Sequence, residues 1–356
     1  MKSFADNTFS AIVTDPPYEL GFMGKKWDSS GIAYDPVVWQ EALRVLKPGG
    51  YLLAFGGSRT YHRLACAIED AGFEIRDMIE WIYGQGFPKS LDVSKAMDRQ
   101  AAGGDESEKW NGYGTALKPA HEPICVARKP LVGTVVENIR AHGTGAINID
   151  GCRIAGEKTP QPKVRNAPGF GCNSLAGGEV LTEETTGRFP ANLIFDEEAA
   201  AVLDEHTGQL TSGLLKAGTK RTQGGGYHGG FPEIATTYDT GGDTGGASRF
   251  FYTAKASRAE RGNTEGAAVK NTHPTVKPLA LMAYLLKLVC PLVDGHSVRV
   301  LDPFLGSGTT ALASLQLGIP CTGIEKEADH IEIIKARLTS VTRDQDVSLS
   351  LPGMRA

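Results

Sequence analysis

"SVRVLDPFLGSGTTALASLQLG", residues 297–318, joins three features that decide the fold of this chain. The apolar "SVRVLDPF" predicts a buried strand, "LGSG" predicts a tight turn, and "TTALASLQLG" predicts a helix. Gly306 and Gly308 allow the backbone to approach a ligand closely where the strand ends and the positive end of the helix begins. The segment therefore predicts a ligand site at the carboxyl edge of an α/β sheet.

An acidic residue follows the next predicted strand. "IPCTGIEKE" predicts this strand, with Glu325 at its end, and "ADHIEIIKARL" predicts a final helix. An acid in that position can accept hydrogen bonds from both hydroxyls of a ribose. We therefore expect a site for one nucleoside, with Asp302 and Phe304 around the rest of the ligand.

Two other nucleotide sites compete with this interpretation. Gly306, Gly308 and Ala311 also fit the dinucleotide fingerprint G-x-G-x-x-G/A, but an isolated match of that kind is weak. A dehydrogenase needs a second nucleotide-binding half, and the sequence after Glu325 leaves little room for one. A P-loop needs a Lys directly after its last glycine, and none follows here.

A second informative stretch is "AIVTDPPYEL", residues 11–20. Its apolar start predicts a buried strand that Pro16 and Pro17 must end, because proline has no N–H for the sheet. Asp15 is then at the carboxyl end of the strand, the Pro16 carbonyl is free to accept a hydrogen bond, and Tyr18 offers a flat face. An acid, a carbonyl and a ring suit a planar group that carries an NH2.

Between these two stretches the first part of the chain alternates strands and helices. "YLLAFGG", "FEIRDMIEWIYGQG" and "HEPICVARKPL" predict strands, and "YHRLACAIEDAG" predicts a helix. "DPVVWQEALRVLKPGG" predicts a helix that ends at its Pro-Gly-Gly. Its expected buried face consists of Val37, Val38, Ala42, Leu43 and Leu46. Such alternation favours a mostly parallel sheet with helices on both faces.

Composition sets further limits on function. The 356 residues include 41% hydrophobic and 22% charged residues, which is typical of a soluble protein, and 44 glycines, which is high. The net charge of −4 gives no global sign of a nucleic-acid partner, although a local basic face would be enough. The six cysteines form no C-x-x-C, and no signal peptide or membrane-spanning stretch is recognisable. We therefore expect a cytoplasmic protein with reduced thiols and no metal.

The residue composition changes between residues 132 and 262, where segments such as "RTQGGGYHGGFP" are rich in glycine and aromatic residues. We interpret this part as an insertion with loops. Basic residues cluster in it and suit phosphate contacts, whereas the acids between them suit an ordinary solvated surface. The candidate DNA contacts here are Lys163, Arg165, Lys220, Arg221, Arg249, Lys255 and Arg258.

Together these motifs resemble those of amino-directed DNA methyltransferases. Asp-Pro-Pro-Tyr at residues 15–18 resembles their catalytic motif, and residues 302–308 resemble their S-adenosylmethionine motif, through Asp302, Pro303, Phe304, Gly306 and Gly308. "THPTVKPLALM" resembles the segment before the cofactor motif, in which Lys277 and Pro278 would line the methionine end. The order of catalytic motif, insertion and cofactor motif resembles the beta class, and the overall texture is similar to methylases of phages and prophages.

The resemblance implies a fold and an organisation. The fold is a Rossmann-like S-adenosylmethionine-dependent methyltransferase sheet in permuted motif order, with an inserted target-recognition domain. Residues 1–131 would form the catalytic half, 132–262 the insertion, 263–342 the cofactor half and 343–356 a tail. The implied partner is double-stranded DNA. Oligomeric state is left open, although dimers are common in the class.

The resemblance also implies a reaction. Asp15 and the Pro16 carbonyl would accept the two N–H groups of a flipped base, Tyr18 would stack on the base, and Trp27 is a candidate for supporting the flip. We expect methylation of adenine N6, because cytosine-N4 enzymes more often carry Ser in the first motif position. A cytosine-N4 enzyme and a DNA-binding relative without turnover are the alternatives.

One departure concerns the start of the chain. In the family, a further strand precedes the catalytic one and its acidic end touches the adenine of the cofactor, whereas here only "MKSFADNTFS" comes before residue 11. Either the natural start lies upstream or another group holds the adenine. In the second case we expect weaker cofactor binding than in a relative that has the strand.

Overall fold

The fold is taken from a computed structural model of the chain. It describes residues 1–21, 26–86, 90–100, 105–165, 179–211, 213, 216, 220–221, 234–235, 242–254, 276–293 and 297–345. For residues 26–27, 157–165, 179–186, 220–221, 234–235 and 340–345 only the backbone is described.

The described residues form fourteen strands and nine α-helices. The strands are β1 Phe9–Thr14, β2 Leu46–Phe55, β3 Glu74–Ile82, β4 His121–Arg128, β5 Ile154–Arg165, β6 Glu179–Arg188, β7 Leu193–Asp196, β8 Leu210–Thr211, β9 Lys220–Arg221, β10 Ile234–Ala235, β11 Thr244–Gly245, β12 Tyr252–Ala254, β13 Val300–Asp302 and β14 Cys321–Gly323. The helices are α1 Pro36–Val45, α2 Tyr61–Asp70, α3 Val93–Arg99, α4 Asp105–Glu108, α5 Val135–His142, α6 Glu197–Thr207, α7 Leu279–Val289, α8 Thr309–Gln316 and α9 Ala328–Gln345.

The central sheet has eight strands in the order β12-β7-β3-β4-β2-β1-β13-β14. Strand β1 lies between β2 and β13 and runs parallel to both, with Ala11 opposite Tyr51 on one side and Val300 on the other. Strand β13 is parallel to β14, and β3 to β7, whereas β4 runs antiparallel to its neighbours β2 and β3. The sheet is therefore mostly parallel, as the sequence predicts.

Helices cover both faces of this sheet. On one face α1 and α2 pack over a core that includes Ile12, Leu52 and Leu301. Side chains alternate along a strand, so Ala11 and Val13 point to the other face, where α7 contacts β1 and β2. Seven of the eleven residues of α7 are buried, which explains why this helix is apolar around most of its circumference.

The predicted helix at residues 35–50 needs a correction. Helix α1 ends at Val45, and Leu46 begins β2. A register shift separates the pair Phe9–Leu46 from the pair Ala11–Tyr51, so the Pro-Gly-Gly segment lies in an irregularity of the strand and not at a helix end. The buried face of α1 consists of Trp39, Ala42 and Val45, whereas Val37 is 59% exposed.

The chain divides into two compact units. The first comprises residues 1–148, 192–199 and 253–356, and the second comprises 149–191 and 200–252. The second unit lies within the predicted insertion at 132–262, but α5 and residues 192–199 belong to the first unit. The predicted domain bounds stay a prediction. In the part of the chain that the structure describes, no helix is long and apolar enough to cross a membrane.

Candidate active site

Asp15 lies directly after β1, at the carboxyl edge of the sheet. Every residue of β1 is buried, and Pro16 behind it is buried as well. The Asp15 Oδ2 atom accepts a hydrogen bond from Lys277 Nζ at 2.6 Å. Its Oδ1 atom is also buried, yet among the residues that the structure describes it has no hydrogen-bond partner. A buried acceptor without a partner is costly, so this oxygen is available to a ligand donor.

Lys277 joins Asp15 to a second carboxylate. Its Nζ lies 2.6 Å from Asp15 Oδ2 and 3.3 Å from Glu122 Oε2, and its side chain is only 8% exposed. Burial alone would lower the pKa of Lys277, but Asp15 and Glu122 together raise it above the ordinary value. Lys277 therefore stays charged. Lys277 contacts Asp15 of the catalytic motif, whereas the resemblance to the family implies that Lys277 lines the methionine end of the cofactor. The next residue, Pro278, is the N-cap of α7.

Tyr18 completes this cluster. Its hydroxyl donates a hydrogen bond of 2.7 Å to Glu122 Oε2, and its ring lies 5.3 Å from Lys277 Nζ. Burial, followed by the negative charges of Asp15 and Glu122, raises the pKa of Tyr18 well above its usual value. The Tyr18 hydroxyl therefore remains a donor.

The backbone of Tyr18 is fixed from two sides, since its carbonyl accepts hydrogen bonds from the hydroxyls of Thr60 at 2.9 Å and Tyr34 at 3.3 Å. The next residue, Glu19, has φ of 56°, which is rare for a side chain other than glycine. Its carboxylate accepts the backbone N–H of Gly31 at 2.8 Å. The loop after the two prolines is thus held by specific hydrogen bonds, and its half-buried Pro17 stiffens it further.

Glu122 is the site residue that sequence reasoning missed. The sequence patterns point to the carboxyl ends of strands, whereas Glu122 lies near the start of β4. Because β4 runs antiparallel to β2 and β3, its first residues lie at the same sheet edge as the last residues of those strands. The available signal was a polar His-Glu pair directly before the apolar residues 123–127 of the strand.

Asp302, the last residue of β13, is buried directly before the glycine turn. Its Oδ1 accepts the hydroxyl of Thr14 at 2.6 Å and the backbone N–H of Phe304 at 3.0 Å, and its Oδ2 accepts the hydroxyl of Thr310 at 2.6 Å. Burial raises the pKa of Asp302 to about 6, although these hydrogen bonds act in the opposite direction. The carboxylate therefore connects the end of β1 to the glycine turn and to the first turn of α8.

The glycine turn itself has the geometry that the sequence predicts. Gly306 has φ of 54° and Gly308 has φ of 85°, both in the left-handed region. A Cβ on Gly308 would lie 3.1 Å from Ile334 Cγ1, so a side chain would crowd the turn. The Glu325 carboxylate lies beside it and accepts the backbone N–H of Gly306 at 2.7 Å.

These residues fit a nucleoside ligand. The turn brings backbone groups to the start of α8, Glu325 supplies an acid after β14, and half-buried Phe304 follows the buried Pro303. Oε1 of Glu325 already accepts the backbone N–H groups of Lys326 at 3.0 Å and Glu327 at 2.9 Å, so the lone pair of Oε2 that Gly306 does not use would be the acceptor for a ribose hydroxyl. The assignment of Glu325 to the ribose stays a prediction.

The DNA-contact candidates are mostly outside the described side chains. Lys255 and Arg258 lie outside the described residues, and Trp27, Lys163, Arg165, Lys220 and Arg221 are described by their backbone only. Arg249 is paired within the second unit: it lies 3.2 Å from Asp243, its guanidinium stacks 4.3 Å from the Phe250 ring, and it donates to two glycine carbonyls. Its charge is therefore already engaged in the protein.

Comparison with known proteins identifies the family. The family model described as "DNA methylase", for N6 and N4 methylases, matches residues 9–336. The Type II methyltransferase M.HindIII of Haemophilus influenzae is 34% identical over 113 residues, which are 30% of this chain and 36% of that protein. This chain thus matches well under two thirds of the length of that relative.

Solved structures that the comparison matches to this chain include the cytosine-N4-specific PvuII DNA methyltransferase, at 13% identity and a TM-score of 0.46 over 98% of this chain and 84% of that one. Another is the complex of M1.HpyAVI with S-adenosylmethionine, at 18% identity and a TM-score of 0.38 over 94% and 90%. The family match confirms S-adenosylmethionine as the predicted cofactor. Because its model matches most of the sequence, from the first strand to the last helix, the chain belongs to the N6/N4 DNA methylase family.

Proposed function

We propose that the chain is a DNA methyltransferase that methylates the exocyclic N6 amino group of a flipped adenine in double-stranded DNA. One observation carries the proposal: Asp15 Oδ1 is a buried acceptor without a partner among the described residues, directly after β1 of a DNA methylase. An NH2 group of a base supplies the missing donor.

The chemistry follows from the weakness of the nucleophile. The lone pair of an exocyclic amino nitrogen is delocalised into the ring of the base. When Asp15 Oδ1 and the Pro16 carbonyl each accept one N–H, the nitrogen becomes more tetrahedral and its lone pair is freed for attack. Asp15 also opposes the positive charge that grows on the nitrogen, which stabilises the transition state more than the ground state. The methylated nitrogen then gives up one proton to the carboxylate and from there to water.

The cofactor supplies an electrophilic methyl group on a positively charged sulfur. The residues that would hold it are Gly306 and Gly308, whose left-handed φ values and missing side chains would let the cofactor approach the turn closely, and Glu325, which would accept a ribose hydroxyl. Asp302 keeps this turn attached to Thr14, the residue before Asp15. The catalytic and cofactor parts are thereby fixed to each other at one sheet edge.

The target amino group is inaccessible inside a duplex, so the base must leave the stack. Tyr18 supports this step, because its ring is positioned beside Asp15 by the hydrogen bonds to its hydroxyl and carbonyl. Adenine is favoured over cytosine by the Asp in the first motif position, where cytosine-N4 enzymes more often carry Ser.

The test is to incubate the protein with unmethylated genomic DNA and methyl-labelled S-adenosylmethionine and to identify the labelled nucleoside after digestion. We expect the label in N6-methyladenine. Label in N4-methylcytosine would show that the target base is cytosine and not adenine. Cofactor binding without any label in the DNA would refute the proposed turnover.

Asp15→Asn keeps the shape of the side chain and should abolish turnover with little change in cofactor affinity. Asp35→Asn, which removes the charge from the N-cap of α1 only, is the matched control and should leave turnover intact.

A further inference from the structure

The contact between Lys277 and Asp15 poses a difficulty for methyl transfer. The ammonium occupies Oδ2 of the carboxylate that should oppose positive charge on the target nitrogen. A pair consisting of one Lys and one Asp has no net charge, so its field would favour the developing cation only weakly. Some other group must restore a negative charge.

Glu122 is placed to do so. Its Oε2 lies 3.3 Å from Lys277 Nζ, so the three side chains together carry one net negative charge in a largely buried position. The same oxygen accepts the Tyr18 hydroxyl at 2.7 Å, and this hydrogen bond holds the carboxylate toward the site.

The surroundings of Lys277 also allow its ammonium to bind Glu122 alone. Nζ lies 4.9 Å from the centre of the Phe55 ring and 5.3 Å from that of Tyr18, and aromatic faces attract a cation at such distances. An ammonium has three donors, so Nζ can shorten its 3.3 Å contact with Glu122 while its 2.6 Å contact with Asp15 lengthens, which keeps it hydrogen-bonded and weakens its hold on Oδ2.

We propose that Glu122 is a positioning residue that takes over the ammonium of Lys277 when the target amino group reaches Asp15. The inference rests on the proposed methyl transfer and assigns Glu122 an indirect role: it draws the ammonium toward itself, so that less of the negative charge of Asp15 is neutralised when the base is bound. In the free protein Lys277 bridges both acids, and with a base bound it belongs to Glu122.

A double-mutant cycle tests this role. Single-turnover methylation and cofactor affinity are measured for the wild type, E122Q, K277M and the double variant. Glutamine keeps an acceptor for Tyr18 but cannot neutralise Lys277, so E122Q should slow the single-turnover rate by at least about tenfold, while the Kd of the cofactor changes by less than about twofold. In the K277M background the same Gln substitution should cost less than about threefold. An equal cost in both backgrounds, or a wild-type rate in E122Q, overturns the proposal.

Two further measurements separate this inference from the proposed function and from simple damage. The proposed function is tested by methylation with the wild-type protein alone. Thermal unfolding of the same four proteins measures the coupling between Glu122 and Lys277 and does not depend on methylation activity. We expect E122Q to lower Tm more when Lys277 is present than in the K277M background, and equal losses overturn the proposal.

Glu74→Gln is the matched control. It breaks a 2.6 Å ion pair with Arg128 at the other end of β3 and β4, so it perturbs the same two strands away from the site. It should lower Tm and leave the methylation rate within about twofold of wild type. A rate loss equal to that of E122Q would attribute the effect to strand damage and overturn the assigned role.

Discussion

Replacement of Asp302 by Asn should change how the stability of the protein depends on pH. In the folded chain the pKa of Asp302 is raised to about 6, because burial penalises the charged form, whereas the ordinary value is 3.8. A raised carboxyl pKa means that the folded state binds a proton more tightly than the unfolded state. The contribution to stability is therefore fully present below pH 3.8 and is lost as the pH rises through 6.

The magnitude follows from the two pKa values. The ceiling is about 3 kcal/mol, and about 1.4 kcal/mol of it should be present at pH 5 and almost none at pH 8. Asn cannot titrate, and its amide can still accept the bonds from Thr14 and Phe304 while its NH2 donates to Thr310 Oγ1. The difference in unfolding free energy between wild type and Asp302→Asn should therefore shift by about 1.4 kcal/mol in favour of wild type between pH 8 and pH 5.

Urea unfolding followed by tryptophan fluorescence, at constant ionic strength and at several pH values between 5 and 8, measures this difference. Thr310→Val provides a second check, because it removes a hydrogen bond that lowers the pKa of Asp302 and should move the transition to higher pH. Wild-type and Asp302→Asn stabilities that vary in parallel over this range would refute the reasoning.

Three further predictions concern the glycine turn, Tyr18 and Arg249. Gly308→Ala should lower the free energy of unfolding by about 1–3 kcal/mol and weaken cofactor binding, measured by calorimetry, at least about tenfold. Gly318 has φ of 67° with open space around it, so Gly318→Ala is the control that should lower stability alone. Tyr18→Phe keeps the ring but loses the bond to Glu122, so single-turnover kinetics should show a rate several-fold below wild type and an unchanged KM for DNA; an increased KM would contradict this. Arg249→Met should lower Tm, because Asp243 loses a partner, and should change the slope of log Kd for DNA against log salt by less than about 0.9, the contribution of one phosphate contact.

Local patterns predicted the elements that frame the site. The strand before Asp15 and the glycine turn after Asp302 each combine an apolar run with residues that end it, and that information is contiguous in sequence. Helix α7 is likewise defined by a contiguous apolar run, of which seven of eleven residues are buried. These parts of the fold and the two motifs were therefore accessible from the sequence.

The parts that could not be predicted depend on distant pairing. The direction of β4 is set by its partners β2 and β3, and nothing within "HEPICVARKPL" distinguishes a parallel strand from an antiparallel one. The position of Glu122 follows from that direction. Likewise, the contact of Lys277 with Asp15 joins residues that are 262 positions apart, and the irregular start of β2 depends on its pairing with β1.

The pairing of β1 with β13 affects how the protein folds during its synthesis on the ribosome. Ala11 pairs with Val300, so one edge of the first strand stays open until about 290 further residues have left the ribosome. At 5–20 residues per second this takes about 15–60 seconds. During that time the nascent chain carries an unpaired apolar strand edge that favours association with other chains. Slower translation or a shortage of chaperones should therefore reduce the soluble yield, even though the finished sheet buries this edge completely.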